Sequence, residues 1–236
     1  MWFDQQAYHV RCEWGATGVR TLAPSVDVVV LVDVLSFSTC VDVATSREAI
    51  VYPFAWKDER ATEFAAQVDG VLAGPRSDTH FSLSPVSMQS AASRQRIVLP
   101  SPNGATLSSL TGTTPTLTGC FRNAAAVAHR ARSFGPRIGV VPAGERWPDG
   151  TLRPALEDWL GAGAILAHLD GVTSPEAHAA RAAFESHRST FGAVIAACAS
   201  GRELIERGWE HDVRLATELD VSATAPFLRD GAYRAE

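Results

Sequence analysis

Residues 26–33 (VDVVVLVD) carry apolar, mostly β-branched side chains at nearly every position, without polar alternation. Such a run predicts a strand buried on both faces, as in a parallel sheet covered by helices. A short polar turn follows, then helical spacing over 40–49, with Ser36, Ser38 or Thr39 placed to cap it. The rhythm repeats. Strands are predicted at 50–52, 71–72, 96–99, 116–118 and 137–141, and helices at 58–67, 123–133, 154–169 and 175–186. Shorter helical stretches continue to 218, so 152–218 reads as mainly helical. This alternation implies α/β/α layers around a mostly parallel or mixed sheet, with additional C-terminal helices. No repeat, low-complexity tract or linker interrupts the chain, and 1–236 is read as one α/β domain.

Composition narrows the partners. At 46% hydrophobic and 20% charged, the 236 residues can bury a sizeable core. The net charge of −5, with no basic run longer than two residues, counts against nucleic acid. An acidic protein that binds an anion must concentrate positive charge locally, through a few arginines, helix amino ends or a metal ion. Cys12, Cys40, Cys120 and Cys198 form no CxxC pair, so zinc-ribbon and thioredoxin readings fall away. Reduced thiols in a cytoplasmic protein are expected instead. The first fifteen residues lack the apolar core of a signal peptide, and no apolar run approaches the ~20 residues that span a bilayer. A membrane partner is not expected.

In open α/β sheets ligands bind beyond the carboxyl ends of the strands. Four loops qualify, 33–39, 100–106, 119–123 and 142–150, and all are expected on one sheet edge. Asp33 closes the most hydrophobic strand, where a carboxylate suits a hard cation such as Mg2+ or simply anchors the loop. Ser36, Ser38 and Thr39 lie where helix amides favour a phosphate, or where they only cap. Asn103 and Gly104 form a turn whose amides can face a ligand. Arg122 and Asn123, and Arg146 within 144–150 (GERWPDG), offer charge-assisted contacts to a phosphate or sulfonate. Glu157 is accounted for by the helix dipole. Asp158 sits in a helix that reads as buried and needs a partner or a metal. Cys40 is either a thiol acidified near a helix start or a small core residue. The P-loop, the GxSxG elbow, the DxD loop of haloacid-dehalogenase phosphatases, the Cys-x5-Arg loop and paired zinc histidines are all absent. Residues 161–163 (GAG) match a dinucleotide loop only weakly and fit close helix packing better.

In order along the chain, residues 32–39 (VDVLSFST), 101–104 (SPNG), 119–128 (GCFRNAAAVA), 142–146 (PAGER), 156–158 (LED) and 161–163 (GAG) resemble the motif series of the 2-phosphosulfolactate phosphatase family. The resemblance runs from about residue 26 to about residue 230. It implies an α/β/α fold, Mg2+ dependence, and hydrolysis of 2-phospho-3-sulfolactate to sulfolactate and phosphate on a coenzyme M route. On this reading Asp33, with Glu145 or Asp158, holds the metal. Ser36, Ser38, Thr39, Asn103, Gly104, Arg122, Asn123 and Arg146 hold the phosphoryl group. Asp33, Ser38 and Cys40 are the available nucleophiles, with direct attack by water equally open. The expected partner is a small anionic phosphate ester, and a homodimer is allowed for. The pattern breaks at three places: Ser36 replaces an arginine, Ala105 and Thr106 replace a Thr-Arg pair, and a Gly-Glu-Arg-Gly-Gly segment shrinks to Gly74, Pro75 and Arg76. Up to two positive groups are missing, with Arg122 or Arg146 expected to compensate. A non-catalytic anion-binding or regulatory protein is the alternative from another class.

Overall fold

The computed structural model describes residues 2–56, 58–76 and 80–235. Its strands are β1 (Val10–Cys12), β2 (Val28–Val32), β3 (Ile50–Phe54), β4 (Val71–Leu72), β5 (Arg96–Pro100), β6 (Thr116–Gly119), β7 (Ile138–Pro142), β8 (Glu145–Arg146), β9 (Leu152–Arg153), β10 (Phe227–Arg229) and β11 (Ala232–Arg234). Its helices are α1 (Gly15–Leu22), α2 (Phe37–Thr45), α3 (Glu59–Gln67), α4 (Pro85–Met88), α5 (Gly104–Leu110), α6 (Ala124–Arg132), α7 (Leu156–Leu166), α8 (Pro175–His187), α9 (Phe191–Ala197), α10 (Ala199–Glu206) and α11 (Glu210–Ala216). Among the described residues no helix is long and apolar enough to cross a membrane.

Nine of the described strands form one sheet in the order β1-β7-β2-β6-β10-β11-β3-β5-β4. The α/β layering expected from the hydrophobic pattern is what the chain adopts. Strand β2 shows why. Val28, Val30 and Val32 join a core with α6, α7 and α8, while Val29 and Leu31 join a second core with α1 and α5. Successive side chains of a strand point to opposite faces, so a continuous apolar run serves a sheet covered on both.

The sheet has two parallel blocks. Strands β1, β7, β2 and β6 run together, as do β3, β5 and β4. The C-terminal hairpin joins them, with β10 antiparallel to β6 and β11 antiparallel to both β10 and β3. Three reversals leave the two blocks opposed in sense, which the expectation of one shared edge did not anticipate. The hairpin also lay outside the predicted strands. Its signal is the Asp230-Gly231 pair, both at positive φ, as a two-residue turn requires.

Local chemistry explains several boundaries. The Asp58 carboxylate caps α3 by accepting from the Arg60 amide, and Ser174 caps α8 from the Ala177 amide with Pro175 in the first turn. The helix predicted at 40–49 begins earlier, at Phe37, and no side chain caps it. Gly163 of α7 lies against α8 so closely that a Cβ would strike the Ala180 carbonyl. The small residues at 161–163 therefore serve helix packing, as their position inside a helix suggested.

Candidate active site

The residues just beyond β2 and β5 meet. Asp33 Oδ2 accepts from the Gly104 amide at 2.8 Å, and the Phe37 amide also bonds this carboxylate. A side chain at position 104 would collide with the Phe37 ring and come within 2.9 Å of Asp33 Oδ2, so the approach requires glycine. From the other side, α7 brings up Asp158. Its Oδ1 accepts from the Val34 amide and its Oδ2 from the Gly144 amide, both at 2.8 Å. Asp158 thus ties the β2 loop to the β7 loop. Glu145, next along, accepts from Asn103 Nδ2 at 3.0 Å. Glu157 is buried beside Asp158 and faces the Cys198 thiol, 3.5 Å away.

Four carboxyl groups therefore share one region, and at Asp33, Glu145 and Asp158 burial and neighbouring charge oppose ionisation. Burial, then Glu145 and Glu157, push the Asp33 pKa up to about 7 against the restraint of two amide bonds. Asp158 lies well above the carboxylate range because it is buried and faces Asp33 and Glu157. Burial raises Glu145 too, with Asn103 and Arg153 opposing. Like charges withdrawn from water need a cation or shared protons.

A Mg2+ ion, implied by the family resemblance, can be tested against this donor set. Among the described residues no three carboxyl, imidazole or thiol groups converge closely enough to wrap an ion. Mg2+ needs no such cage, because it usually takes one or two carboxylates and keeps several waters. Oxygen donors, mutual repulsion and partial access at Glu145 fit that habit.

Two clefts border these loops. The smaller, about 140 Å3, is lined by Gly15 and Thr17 at the start of α1 and by Asn103, Thr106, Glu145 and Arg146. The larger, about 470 Å3, lies across the turn after β5 and is lined by Ser36, Arg76, Leu72, Leu83, Leu99 and Pro100, among others.

The other predicted residues are distributed unevenly. Ser36 is partly exposed, donates to the Leu35 carbonyl and accepts from Arg76 Nη2 at 2.8 Å. A guanidinium thus stands beside the position where arginine was missing. Ser38, Thr39 and Cys40 lie fully buried, on the core side of the loop. The Ser38 hydroxyl accepts from the Asp33 amide at 2.9 Å and meets Thr118 Oγ1 at 2.7 Å, and Thr39 donates to the Val34 carbonyl. Burial raises the Cys40 thiol well above its ordinary pKa, the opposite of acidification. Arg122 bonds the buried Asp42 at 2.9 Å and also meets Glu218. Asn123 is fully buried, its Oδ1 accepting from the Cys120 amide. The structure thus places Ser38, Thr39, Cys40, Arg122 and Asn123 in the framework rather than on either cleft. Asn103, Glu145 and Arg146 line the smaller cleft and Ser36 the larger, while Asp33, Gly104 and Asp158 tie the neighbouring loops together.

Glu157, Arg153, Arg76 and the α1 amino end escaped the sequence reading. For Glu157 the helix dipole was a sufficient local account. Arg76 carried a signal, as the remnant of the shortened glycine segment.

A mostly parallel α/β sheet with buried acids and arginines gathered at strand ends is the architecture of an α/β enzyme acting on small anions. The comparison with known families is specific: the model of the family described as 2-phosphosulpholactate phosphatase matches residues 19–231, and the chain belongs to that family. It is 29% identical over 205 residues to the 2-phosphosulfolactate phosphatase of Methanothermobacter thermautotrophicus, covering 86% of this chain and 87% of that protein.

Proposed function

We propose that the protein is a Mg2+-dependent phosphomonoesterase that hydrolyses a small phosphorylated hydroxy acid of the 2-phosphosulfolactate type. The cluster of Asp33, Glu145, Glu157 and Asp158, with raised carboxyl pKa values at Asp33, Glu145 and Asp158, carries this reading. Family membership supplies the reaction class. Asp33, with Glu145 or Asp158, would hold the ion. When bound, Mg2+ supplies charge neutralisation at a phosphoryl oxygen and lowers the pKa of water.

The chain's own groups do the rest. Arg146, Asn103 and the first amides of α1 border the phosphate-sized cleft and offer donors to the phosphoryl oxygens. Asn103 also orients Glu145 through its 3.0 Å bond. Ser38 and Cys40 are turned into the core, which leaves the Asp33 carboxylate or a water as the attacking group. In the net reaction the phosphorus–ester oxygen bond breaks, phosphorus gains the oxygen of water, and the departing alkoxide takes a proton. Four free thiols suit a reducing, cytoplasmic setting.

The test is phosphate release from p-nitrophenyl phosphate and from phospho-hydroxyacids. EDTA should abolish it, Mg2+ should restore it, and Asp33→Asn should lower kcat at least ~100-fold. Silence toward every ester in Mg2+ would favour a binding protein, and full activity in Asp33→Asn would remove Asp33 from the site.

A further inference from the structure

We propose that the larger cavity seats the carbon body of the substrate, and that the substrate is a phosphorylated hydroxy acid with an apolar side chain larger than a methyl group and one remaining anionic group met by Arg76. This deepens the phosphatase reading and rests on it. The cavity shares two loops with the acid site. Ser36 on its wall lies three residues beyond Asp33, and Pro100 begins the turn that carries Asn103.

The walls decide the chemistry. About 470 Å3 is within the ~300–1,000 Å3 range that encloses organic ligands, and it is far more room than a phosphate needs. Leu72, Ala73, Leu83, Leu99, Pro100 and Ala61 supply apolar surface. Of the two charged residues on the wall among the described residues, Asp58 is paired with Arg60, with Nη2 at 2.6 Å. Arg76 is the other, its side chain 19% exposed.

Arg76 is held in place by its neighbours. It donates to the Leu83 carbonyl at 2.6 Å and to Ser36 Oγ at 2.8 Å. Its Nε lies 3.6 Å from Oδ2 of the buried Asp212, whose Oδ1 is fixed by Ser84 Oγ at 2.6 Å and the Val86 amide at 3.2 Å. Asp212 is therefore a positioning residue: it screens part of the charge and orients the guanidinium. One oriented arginine suits one carboxylate. A second anionic group, as on a sulfonated acid, would lie against the apolar walls and lose hydration with no second cation to meet it among the described lining residues.

The experiment compares kcat/KM of the wild-type protein in Mg2+ on three phosphate esters: 2-phospholactate, 2-phosphosulfolactate, and the 2-phosphate of 2-hydroxy-4-methylpentanoate. At about fourfold per buried methylene, the three added carbons should favour the branched ester over phospholactate by up to roughly sixty-fold. It should also exceed 2-phosphosulfolactate by at least about tenfold. Ala61→Leu, which fills the cavity from α3, should pull the ratio of branched ester to phospholactate toward one. Arg76→Gln should raise KM for the carboxylated esters more than it lowers kcat, with Arg76→Lys recovering part of the loss, in proteins whose circular dichroism shows them folded.

Calorimetry with unphosphorylated 2-hydroxy-4-methylpentanoate reads the cavity without turnover. Binding that disappears in Ala61→Leu sustains the cavity's assignment even if no ester is hydrolysed, in which case the phosphatase reading fails instead. Rapid hydrolysis of 2-phosphosulfolactate with no gain from the branched chain, and no binding of the free acid, would overturn this proposal and leave the phosphatase reading standing.

Discussion

Without metal at pH 8, Asp33→Asn should be at least as stable as the wild type, although Asp33 is buried and hydrogen-bonded. Burial and the neighbouring acids lift its pKa from an ordinary 3.8 to about 7. At about 1.4 kcal/mol per pH unit, the ionised carboxylate costs the folded state on the order of 4 kcal/mol. The folded protein binds this proton more tightly than the unfolded chain. Its stabilising contribution is therefore complete below about pH 4 and lost as pH rises through about 7. Asparagine has nearly the same shape and no charge. Its oxygen can still accept from the Gly104 amide, at 2.8 Å in the wild type, but its NH2 then faces the Phe37 amide. That mismatch takes back ~1–3 kcal/mol. The net gain of ~1–3 kcal/mol should raise Tm by roughly 2–10 °C at pH 8 for a chain of this size, and the advantage should vanish near pH 5. Saturating Mg2+, at about a hundred times its Kd, should stabilise the wild type by ~2.7 kcal/mol and the variant far less. Thermal unfolding at both pH values, in EDTA and in Mg2+, measures all four terms. If the variant is destabilised equally at pH 5 and pH 8, and Mg2+ shifts neither protein, the acids are satisfied as they stand and the reasoning from mutual repulsion fails.

Two further outcomes separate framework from site. Arg122→Ala should leave the buried Asp42 without its 2.9 Å partner and cost ~3–5 kcal/mol, while kcat/KM of the folded enzyme stays within about threefold. Arg96→Ala, at an exposed position, should change neither, and a tenfold rise in KM for Arg122→Ala at unchanged stability would return Arg122 to the site. Cys40→Ala should keep kcat within about threefold, and the native thiol should resist iodoacetamide, because burial holds it protonated. A loss of ~100-fold in kcat would reinstate Cys40 as a nucleophile.

Much of this molecule is written locally. The β-branched run ending at Asp33, the Asp58 and Ser174 caps, and the small residues inside α7 depend on near neighbours, because periodicity and backbone preference act over a few residues. The same locality marked Asp33 and the Asn103-Gly104 turn as strand-end residues, and a 2.8 Å bond from the Gly104 amide brings the two loops together. Which other groups would join them depended on strand order. Ser38 and Cys40 share the loop of Asp33, yet the turn of α2 sends both into the core. Arg122 looked free to bind an anion until the chain brought Asp42 and Glu218 to it, from 80 residues before and 96 residues after. Arg76 stands beside Ser36 only because the block of β3, β5 and β4 is joined to the other block through a hairpin near the chain's end. A side chain's charge is a property of its residue. Whether that charge faces a ligand or a buried partner is settled by residues far away in sequence, and only the folded chain brings them within reach.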